Sequence, residues 1–203
     1  MPEMPALRPE LRIIADWIAA GSRILDLGCG DGTLLAHLRD NRQVSGYGLE
    51  IDQAKIVQAI SKNVNVIQTD LNAGLTEFES NSFDYVVMSQ TLQAVNYPDR
   101  LLEEMLRVGR EGIITFPNFG HWSCRLQLLT GRMPVTPSLP NTWYNTPNIH
   151  LCTLRDFEAL CADKAFHILE RTVVDRAHRT SLPMRLLPNL MGEVALYRFQ
   201  RRQ

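Results

Sequence analysis

The sequence predicts an α/β fold in which a doubly wound, mostly parallel sheet of seven strands carries helices on both faces. Short apolar segments of strand character alternate with segments whose apolar residues recur at helical spacing, over most of the 203 residues. Such alternation implies crossover connections, which place parallel strands side by side and cover them with helices. A cluster of glycines directly after the first predicted strand marks a turn where folds of this kind bind ligands.

Each element follows from residue type and spacing. Residues 9–19 have apolar side chains at helical spacing and a proline in the first turn, which predicts a helix. Residues 23–27 form a short apolar run that ends at the glycine cluster, as expected of a buried strand. By the same criteria, strands are predicted at residues 44–49, 64–68, 83–88 and 112–116, and helices at residues 33–39, 53–60 and 99–108. A capping-box pattern opens a last predicted helix over residues 153–161, and two final strands are predicted at residues 165–174 and 193–199.

Two stretches depart from this regular pattern. Residues 117–150, a long insert after the fifth strand, contain five prolines together with tryptophan, tyrosine and histidine. A connection of this length is usually functional or disordered, and its aromatic residues argue against disorder. Residues 176–191 combine basic, apolar and proline residues. We therefore expect a single domain over residues 1–203 in which both stretches are inserts.

The composition argues against several classes of protein. With 21 basic and 22 acidic side chains, the chain lacks the excess positive charge of a non-specific nucleic-acid coat. No stretch approaches the ~20 apolar residues that span a bilayer, and acidic residues interrupt the segment where a signal peptide needs an apolar core. The four cysteines show no CxxC spacing, which argues against a disulfide framework and a zinc site and favours a reduced, cytoplasmic setting.

The strongest motif is the turn Asp26-Leu-Gly28-Cys-Gly30-Asp-Gly32, between the first strand and the next helix. Glycines allow the backbone to approach a ligand where a Cβ atom would collide, and the helix that follows offers unpaired N–H groups. Glu50 ends the second strand, where a carboxylate can accept hydrogen bonds from both ribose hydroxyls of a nucleoside. Asp70 follows the third strand and could face an adenine edge.

Other cofactor motifs fit less well. The dinucleotide fingerprint needs glycine or alanine at position 33, which is Thr33, and the Gly-Lys-Ser/Thr of a phosphate-binding loop is absent. Over about residues 20 to 116 the pattern resembles Rossmann-like class I methyltransferases, which use S-adenosylmethionine. The resemblance implies that S-adenosylmethionine or S-adenosylhomocysteine is bound by Asp26, Gly28, Gly30, Gly32, Glu50, Ile51, Asp70, Leu71 and Gln90. Asp26 and the glycine turn would face the methionyl part, Glu50 the ribose, and residues 89–91 the sulfonium. The competing interpretation is a generic α/β fold with turn glycines and solvated acids.

A catalytic group is harder to assign. Methyl transfer can rest on proximity and alignment alone, although a hydroxyl acceptor usually needs a general base. His121 and His150 lie near the expected strand ends, but a structural role in an aromatic-rich loop is the favoured interpretation for both. The sequence has no acceptor-binding motif of the Asn-Pro-Pro-Tyr type and no basic cluster for a nucleic acid. We therefore assign no catalytic residue and no metal ligand.

The insert carries a more specific resemblance. The segments GHW, GRMP, WYNTPNIH and CTLRDFE occur together and in order, and with the N-terminal LRPELRIIADWIAAGSRILDLGCGDGTLL they resemble the MetW family of methionine biosynthesis over nearly the whole chain. This resemblance implies a partner role beside MetX-type homoserine O-acyltransferases. The chain has no G-x-S-x-G nucleophile elbow, so acyl transfer would belong to the partner.

The same insert supplies a candidate interface, because tryptophan, tyrosine and methionine are enriched at the centres of protein interfaces. The predicted interface residues are Trp122, Leu126, Leu129, Met133, Trp143 and Tyr144. Alternatively these side chains fill the core or close over the cofactor cleft; for the apolar residues of 182–191 the two interpretations are evenly balanced.

Three functions are consistent with the sequence. The first is an accessory or regulatory subunit of homoserine O-acyltransferase that binds an adenosyl cofactor. The alternative is an active methyltransferase whose small-molecule acceptor lies under residues 117–150. The third is an electron-transfer protein of Rossmann type, against which Thr33 and the lack of flavin or nicotinamide signatures count.

Overall fold

A computed structural model describes residues 7–175 and 179–202. Within these residues, seven strands form one sheet in the order β3-β2-β1-β4-β5-β7-β6. The strands are β1 (Arg23–Leu27), β2 (Ser45–Glu50), β3 (Val66–Gln68), β4 (Phe83–Ser89), β5 (Gly109–Pro117), β6 (Phe166–Val174) and β7 (Val194–Arg201). The first five strands pair in parallel, and β7 lies antiparallel between β5 and β6. The predicted seven-stranded, mostly parallel sheet is therefore confirmed.

Helices cover both faces of the sheet. They are α1 (Pro9–Trp17), α2 (Thr33–Arg42), α3 (Gln53–Ser61), α4 (Pro98–Val108), α5 (Trp122–Leu129), α6 (Leu154–Asp163), α7 (Leu182–Leu186) and α8 (Pro188–Met191). Side chains alternate between the faces along each strand, so Ile24 packs in one core cluster with α1 and α2, and Leu25 in the other with α4 and α6. Within the described ranges, no helix is both long enough and apolar enough to cross a membrane.

The predicted boundaries need small corrections. The first helix ends at Trp17 and not at residue 19, and the third strand begins at Val66 and not at residue 64. Val64 is buried among core side chains, and its N–H donates to the Ala59 carbonyl at the end of α3, so it completes the helix end and not the strand. The capping box at Thr153 and Asp156 is present as predicted.

The inserts contain helices that were not predicted. Residues 118–153 connect β5 to α6, and α5 lies within them. Its periodicity extends over only eight residues, too few for an amphipathic pattern to stand out among prolines. In the second insert, α7 and α8 each begin with a proline in the first turn. Residues 176–178 of that insert lie outside the described residues.

Candidate ligand-binding site

The site lies at the carboxyl edge of the parallel strands, where β1, β2 and β4 end side by side. After β1 the chain turns through Gly28 and Gly30, whose φ angles of 73° and 57° lie in the left-handed region that favours glycine. The backbone N–H groups of Gly28 and Cys29 both donate to the Leu49 carbonyl of β2, at 2.8 and 3.0 Å. These two bonds hold the turn against the end of the neighbouring strand.

The three glycines of the motif have different surroundings. A Cβ atom on Gly30 would meet no atom within 4 Å, whereas one on Gly28 would lie 2.6 Å from Thr91 Oγ1. A Cβ on Gly32 would lie 2.9 Å from the Ala59 Cβ of α3. Gly30 therefore faces open space, while the missing side chain of Gly32 permits close packing of α2 against α3.

We expect Gly30→Ala and Gly32→Ala to separate ligand binding from folding. Both substitutions place alanine at positive φ, which costs about 1 kcal/mol. Only Gly32→Ala adds a steric conflict inside the protein, so it should lower the melting temperature further than Gly30→Ala. Only for Gly30→Ala should the loss in the free energy of ligand binding exceed the loss in the free energy of unfolding. Calorimetric titration and thermal unfolding of both variants measure these losses. If the two variants lose the same binding affinity and the same stability, Gly30 does not face the ligand.

Glu50 is buried at the end of β2, and its carboxylate is held by the backbone. Oε2 accepts a hydrogen bond from the Gly30 N–H at 2.8 Å, and Oε1 accepts from Ile51 and Asp52 at 2.9 and 3.0 Å. A carboxylate has about four acceptor positions, so three are in use and about one remains. Glu50 therefore secures the glycine turn to β2 and leaves room for one further donor, where the sequence predicted two ribose hydroxyls.

Glu50→Ala should destabilise the protein as well as weaken ligand binding. The substitution leaves three backbone N–H groups without their acceptor, and we expect a loss of roughly 2–4 kcal/mol in the free energy of unfolding. Ligand affinity should fall roughly 10- to 100-fold through the lost hydrogen bond to a charged group. Urea unfolding and calorimetric titration measure the two effects. An unchanged ligand affinity would show that Glu50 does not contact the ribose.

Asp26 is the buried carboxyl group of the site. It is 3% exposed at the end of β1 and lines the cleft. Burial, and secondarily the negative charge of Glu50, raise the pKa of Asp26 to about 7. No hydrogen-bond donor from residues 7–175 or 179–202 reaches its carboxylate. A buried carboxyl group without a donor is a strong acceptor for a cationic group that enters the cleft.

The cleft has a volume of about 570 Å³, within the usual range for small-molecule sites. The cleft is lined by Asp26, Gly28, Cys29, Gly30 and Asp31 of the motif and by Ser89, Gln90 and Thr91 at the end of β4. Gln90 has a φ of 56°, rare for a residue with a side chain, and its N–H is held by the carbonyl and hydroxyl oxygens of Thr115 at 3.1 and 3.0 Å. The cleft wall is thus fixed to β5 at this position.

The cleft lining also contains residues that the sequence analysis did not identify. Arg8, just before α1, and Lys55 and Gln58 on α3 line the same cleft. Tertiary packing brings these residues to the glycine turn, and no local motif signals that arrangement. Arg8 and Lys55 bring positive charge to a cleft that also holds the carboxyl groups of Asp26 and Asp31. Arg8 Nη1 also lies 3.3 Å from Glu10 Oε1.

Five of the nine predicted ligand-binding residues are not among the described residues that line the cleft, namely Gly32, Glu50, Ile51, Asp70 and Leu71. Ile51 is 61% exposed next to Glu50. Asp70 is exposed, and its Oδ1 accepts from the N–H and the Nδ2 of Asn72, capping a short 3₁₀ turn at Leu71–Ala73. The Thr69 N–H donates to the Glu50 carbonyl, so Asp70 lies on the same edge of the sheet. Contacts from Ile51, Asp70 and Leu71 to an adenine ring stay predictions.

The two candidate histidines have structural partners. His121 is buried at the N-terminus of α5, with Nδ1 2.8 Å from Ser123 Oγ, and burial lowers its pKa. His150 is exposed, and its Nε2 lies 3.2 Å from the Asn96 carbonyl oxygen. Neither side chain lines the cleft between Asp26 and Gln90.

The predicted interface residues are exposed. The six side chains proposed from the sequence, which are Trp122, Leu126, Leu129, Met133, Trp143 and Tyr144, are between 47% and 84% exposed. Trp122, Leu126 and Leu129 follow i, i+4, i+7 spacing and so form an apolar stripe along α5. The six residues do not fill the core of this chain, and they do not line the cleft.

The strand order, the glycine turn after β1 and the buried acid that ends β2 define a methyltransferase fold. An S-adenosylmethionine-dependent methyltransferase from Mesorhizobium loti is similar, with a TM-score of 0.68, 17% identity, and coverage of 95% of this chain and 96% of that one. Phosphoethanolamine N-methyltransferase 2 of Haemonchus contortus, in complex with S-adenosyl-L-methionine, has a TM-score of 0.69 and 16% identity over 97% of this chain and 53% of that one. At these identities the likeness shows the fold alone.

The chain belongs to the MetW family. The family described as "Methionine biosynthesis protein MetW" matches residues 8–199, which confirms the resemblance seen in the sequence. A relative from Rhodopirellula baltica, the bifunctional methionine biosynthesis protein MetXA/MetW, is 38% identical over 198 residues. The match covers 93% of this chain and 32% of the relative, so this chain spans about a third of that protein's length.

Proposed function

We propose that this protein binds S-adenosylmethionine or S-adenosylhomocysteine in the cleft and acts in the cytoplasm as an accessory subunit of a MetX-type homoserine O-acyltransferase. The main support for this role is the exposed apolar surface of the insert, in a chain whose relative from Rhodopirellula baltica combines MetXA with MetW. This chain contributes no acyl-transfer nucleophile motif of its own, so its role beside the acyltransferase would be to bind and regulate.

The chemistry of the cleft fits an adenosyl amino acid. The unpartnered carboxylate of Asp26 suits the ammonium group of the methionyl part, and Arg8 and Lys55 offer cationic partners for its carboxylate. The open space at Gly30 allows the ligand to approach the turn closely, and the remaining acceptor position on Glu50 suits one ribose hydroxyl. The exposed apolar side chain of Ile51 could then cover one face of the adenine ring.

The exposed insert supports the partnership on physical grounds. Joining two proteins in one chain keeps them at a high effective concentration, so little contact area is needed to hold them together. Two separate chains must obtain the same association from a complementary surface. The apolar stripe on α5 and the exposed Met133, Trp143 and Tyr144 supply side chains of the kind that dominate such surfaces.

Binding of the adenosyl ligand could regulate the partner. S-adenosylmethionine is made from methionine, so occupancy of the cleft would report the supply of the pathway's end product. Coupling requires that the ligand bind the free and the partner-bound protein with different affinities, and the effect is then reciprocal. Titration of this protein with the acyltransferase, in the presence and in the absence of S-adenosylhomocysteine, tests this step. Equal affinities for the acyltransferase under the two conditions would refute it.

The proposed function is tested by reconstitution. The protein and the homoserine O-acyltransferase of the same genome are purified separately, mixed, and assayed for co-purification and for acyl transfer. We expect a stable complex and an acyl-transfer rate that depends on the protein. Transfer of labelled methyl groups by the isolated protein, without complex formation, would instead support an active methyltransferase with a small-molecule acceptor.

Ligand affinity should depend on pH. The pKa of Asp26 in the free protein is about 7, so below pH 7 the carboxyl group is mostly protonated. It must then lose this proton before it can pair with a cationic ligand. Affinity should therefore fall as the pH drops below 7, by up to about tenfold per unit, and level off above it. Calorimetric titration of S-adenosylhomocysteine between pH 5.5 and 8.5, as approximate limits on either side of that pKa, measures the slope. A flat profile would contradict the contact with Asp26.

A further inference from the structure

An open groove lies between α6 and the helices of the second insert. Its volume is about 340 Å³, and its apolar lining comes from Leu154 on α6 and from residues 186–190. A second space of about 360 Å³ adjoins it and has Arg171 and Pro188 in common with it. Together the two spaces form one groove, the α6–α8 groove. None of the described residues that line it also lines the adenosyl cleft.

Positive charge dominates the α6–α8 groove. Four arginines line it, and they are Arg125, Arg155, Arg171 and Arg185. Glu158 is the one acidic side chain among the described residues of the lining, and its Oε1 already accepts from Arg171 Nη1 at 3.0 Å and from the Tyr197 hydroxyl at 2.9 Å. Four arginines and one glutamate give these side chains a net charge of +3.

Two of the arginines have no partner in the part of the chain that the structure describes. Arg155 and Arg185 are exposed, and neither forms a salt bridge or a side-chain hydrogen bond with another described residue. Arg155 also lies in the first turn of α6, where the helix dipole favours an acidic side chain over a basic one. An anionic group in the groove would compensate both the free guanidinium and the helix end.

Buried hydrogen bonds hold the walls of the groove in place. Asn118, which is 2% exposed after β5, donates from Nδ2 to the carbonyls of Asn189 and Gly192 at 3.0 and 2.7 Å. Asn189 Oδ1 accepts from the Leu154 N–H at 3.1 Å. These bonds join α8 to the end of β5 and to the start of α6. The groove is therefore formed before a partner binds, which lowers the entropic cost of binding.

Exposed apolar side chains at the groove favour a protein segment over a small anion. Leu186 and Leu187 are 71% and 56% exposed, and contiguous apolar surface with a polar rim is typical of protein interaction sites. Arg125 belongs to α5 and precedes Leu126 of the apolar stripe, so the groove continues into the surface proposed for the acyltransferase. A partner that covers α5 would therefore also reach the arginines.

We propose that the α6–α8 groove binds an acidic segment of the homoserine O-acyltransferase, with carboxylates opposite Arg155 and Arg185 and apolar side chains against Leu186 and Leu187. The proposal rests on the proposed function, because it names the chemistry of the partner's matching surface. The planar guanidinium group pairs with a carboxylate through two parallel hydrogen bonds. Opposite charges across an interface also speed association and fix the orientation of the partner.

Reversal of single charges tests the contact. Arg155→Glu and Arg185→Glu should each weaken the complex roughly tenfold, mainly through slower association, whereas Arg155→Lys should stay within about threefold of the wild type. The melting temperature of Arg155→Glu should not fall, because the dipole of α6 favours an acid in its first turn. Arg12→Glu is the matched control, since Arg12 is exposed on α1, which packs on the other face of the sheet from α6. It should leave the affinity unchanged.

Surface plasmon resonance with the full-length protein and the acyltransferase measures these affinities. Between about 50 and 300 mM sodium chloride the wild-type affinity should fall at least about tenfold, and the affinity of the Arg155→Glu/Arg185→Glu double variant should fall less. A complex that neither variant nor salt weakens would overturn the groove as a contact and leave the accessory role standing. No complex at low salt would overturn both.

Two further outcomes would also contradict the proposal. If Arg12→Glu weakens the complex as much as Arg155→Glu does, the acyltransferase responds to the net charge of the protein and not to the groove. If inorganic phosphate displaces the acyltransferase more strongly than sodium chloride of the same ionic strength does, the arginines form a site for a small anion.

Discussion

Asp26→Asn should make the free protein more stable and at the same time weaken binding of S-adenosylhomocysteine at least about 100-fold. Removing one partner of a buried ion pair costs about 3–5 kcal/mol, because the remaining charge is left without compensation. Here the remaining charge is the ammonium group of the ligand. Calorimetric titration at a pH above 7, where Asp26 is ionised in the wild-type protein, gives the full effect.

The gain in stability has a defined pH dependence. The pKa of folded Asp26 is raised from 3.8 to about 7, so the folded protein holds this proton more tightly than the unfolded chain does. Its contribution to stability is fully present below pH 3.8 and is lost as the pH rises to about 7. Asparagine does not titrate, so the advantage of the variant should grow over this range and then level off. A pKa shift of this size corresponds to about 4 kcal/mol, and we expect about half of it as a gain in the free energy of unfolding, or roughly 4–8 °C in melting temperature.

Asp40→Asn is the matched control for this experiment. Asp40 is exposed on α2 and pairs with Arg39, away from the cleft. The same change of carboxylate to amide there should alter stability by less than about 0.5 kcal/mol and leave ligand affinity unchanged. If Asp26→Asn behaves like Asp40→Asn, the buried carboxyl group is not the ligand's ionic partner.

Leu129→Asp and Trp143→Ala should each disrupt the complex with the homoserine O-acyltransferase without unfolding the protein. Truncation of a central aromatic residue in an interface commonly costs 2–4 kcal/mol or more, which corresponds to roughly 30- to 1000-fold in affinity. A carboxylate at position 129 would be buried without a partner and should have a similar or larger effect. Surface plasmon resonance with the immobilised acyltransferase measures the affinities.

Ile60→Asp controls for the loss of an exposed aliphatic side chain. Ile60 is 56% exposed near the end of α3, which packs at the β2–β3 end of the sheet, far along the strand order from β5 and the insert. All three variants should keep the melting temperature of the wild type within a few degrees. A complex that survives Leu129→Asp and Trp143→Ala would exclude the insert as the interface, and loss of folding in these variants would favour a core role.

The sequence was sufficient to predict the sheet and the motif at its edge. Apolar runs located the strands, and the glycine turn and the acid at position 50 lie at the ends of β1 and β2 as expected. This success reflects local causes, because strand character, positive φ at glycine and helix capping depend on neighbouring residues.

Other features of the site depend on tertiary contacts and were not predictable. Arg8, just before α1, and Lys55 on α3 line the same cleft although they are 47 residues apart in the sequence. The carboxylate of Glu50 was expected to accept from two ribose hydroxyls, yet three backbone N–H groups already fill three of its about four acceptor positions. Helix α5 is missing from the prediction because eight residues among prolines give too short a pattern.

Hydrogen exchange of the protein, alone and mixed with the acyltransferase, is the most direct test of the proposed complex. Burial of the insert in a stable interface should slow exchange of backbone amides over residues 122–144, with little change on α3. Mixing in the presence of S-adenosylhomocysteine should additionally slow exchange in the turn from Gly28 to Gly32. Unchanged exchange over residues 122–144, at protein concentrations where acyl transfer responds to the protein, would contradict the proposed complex.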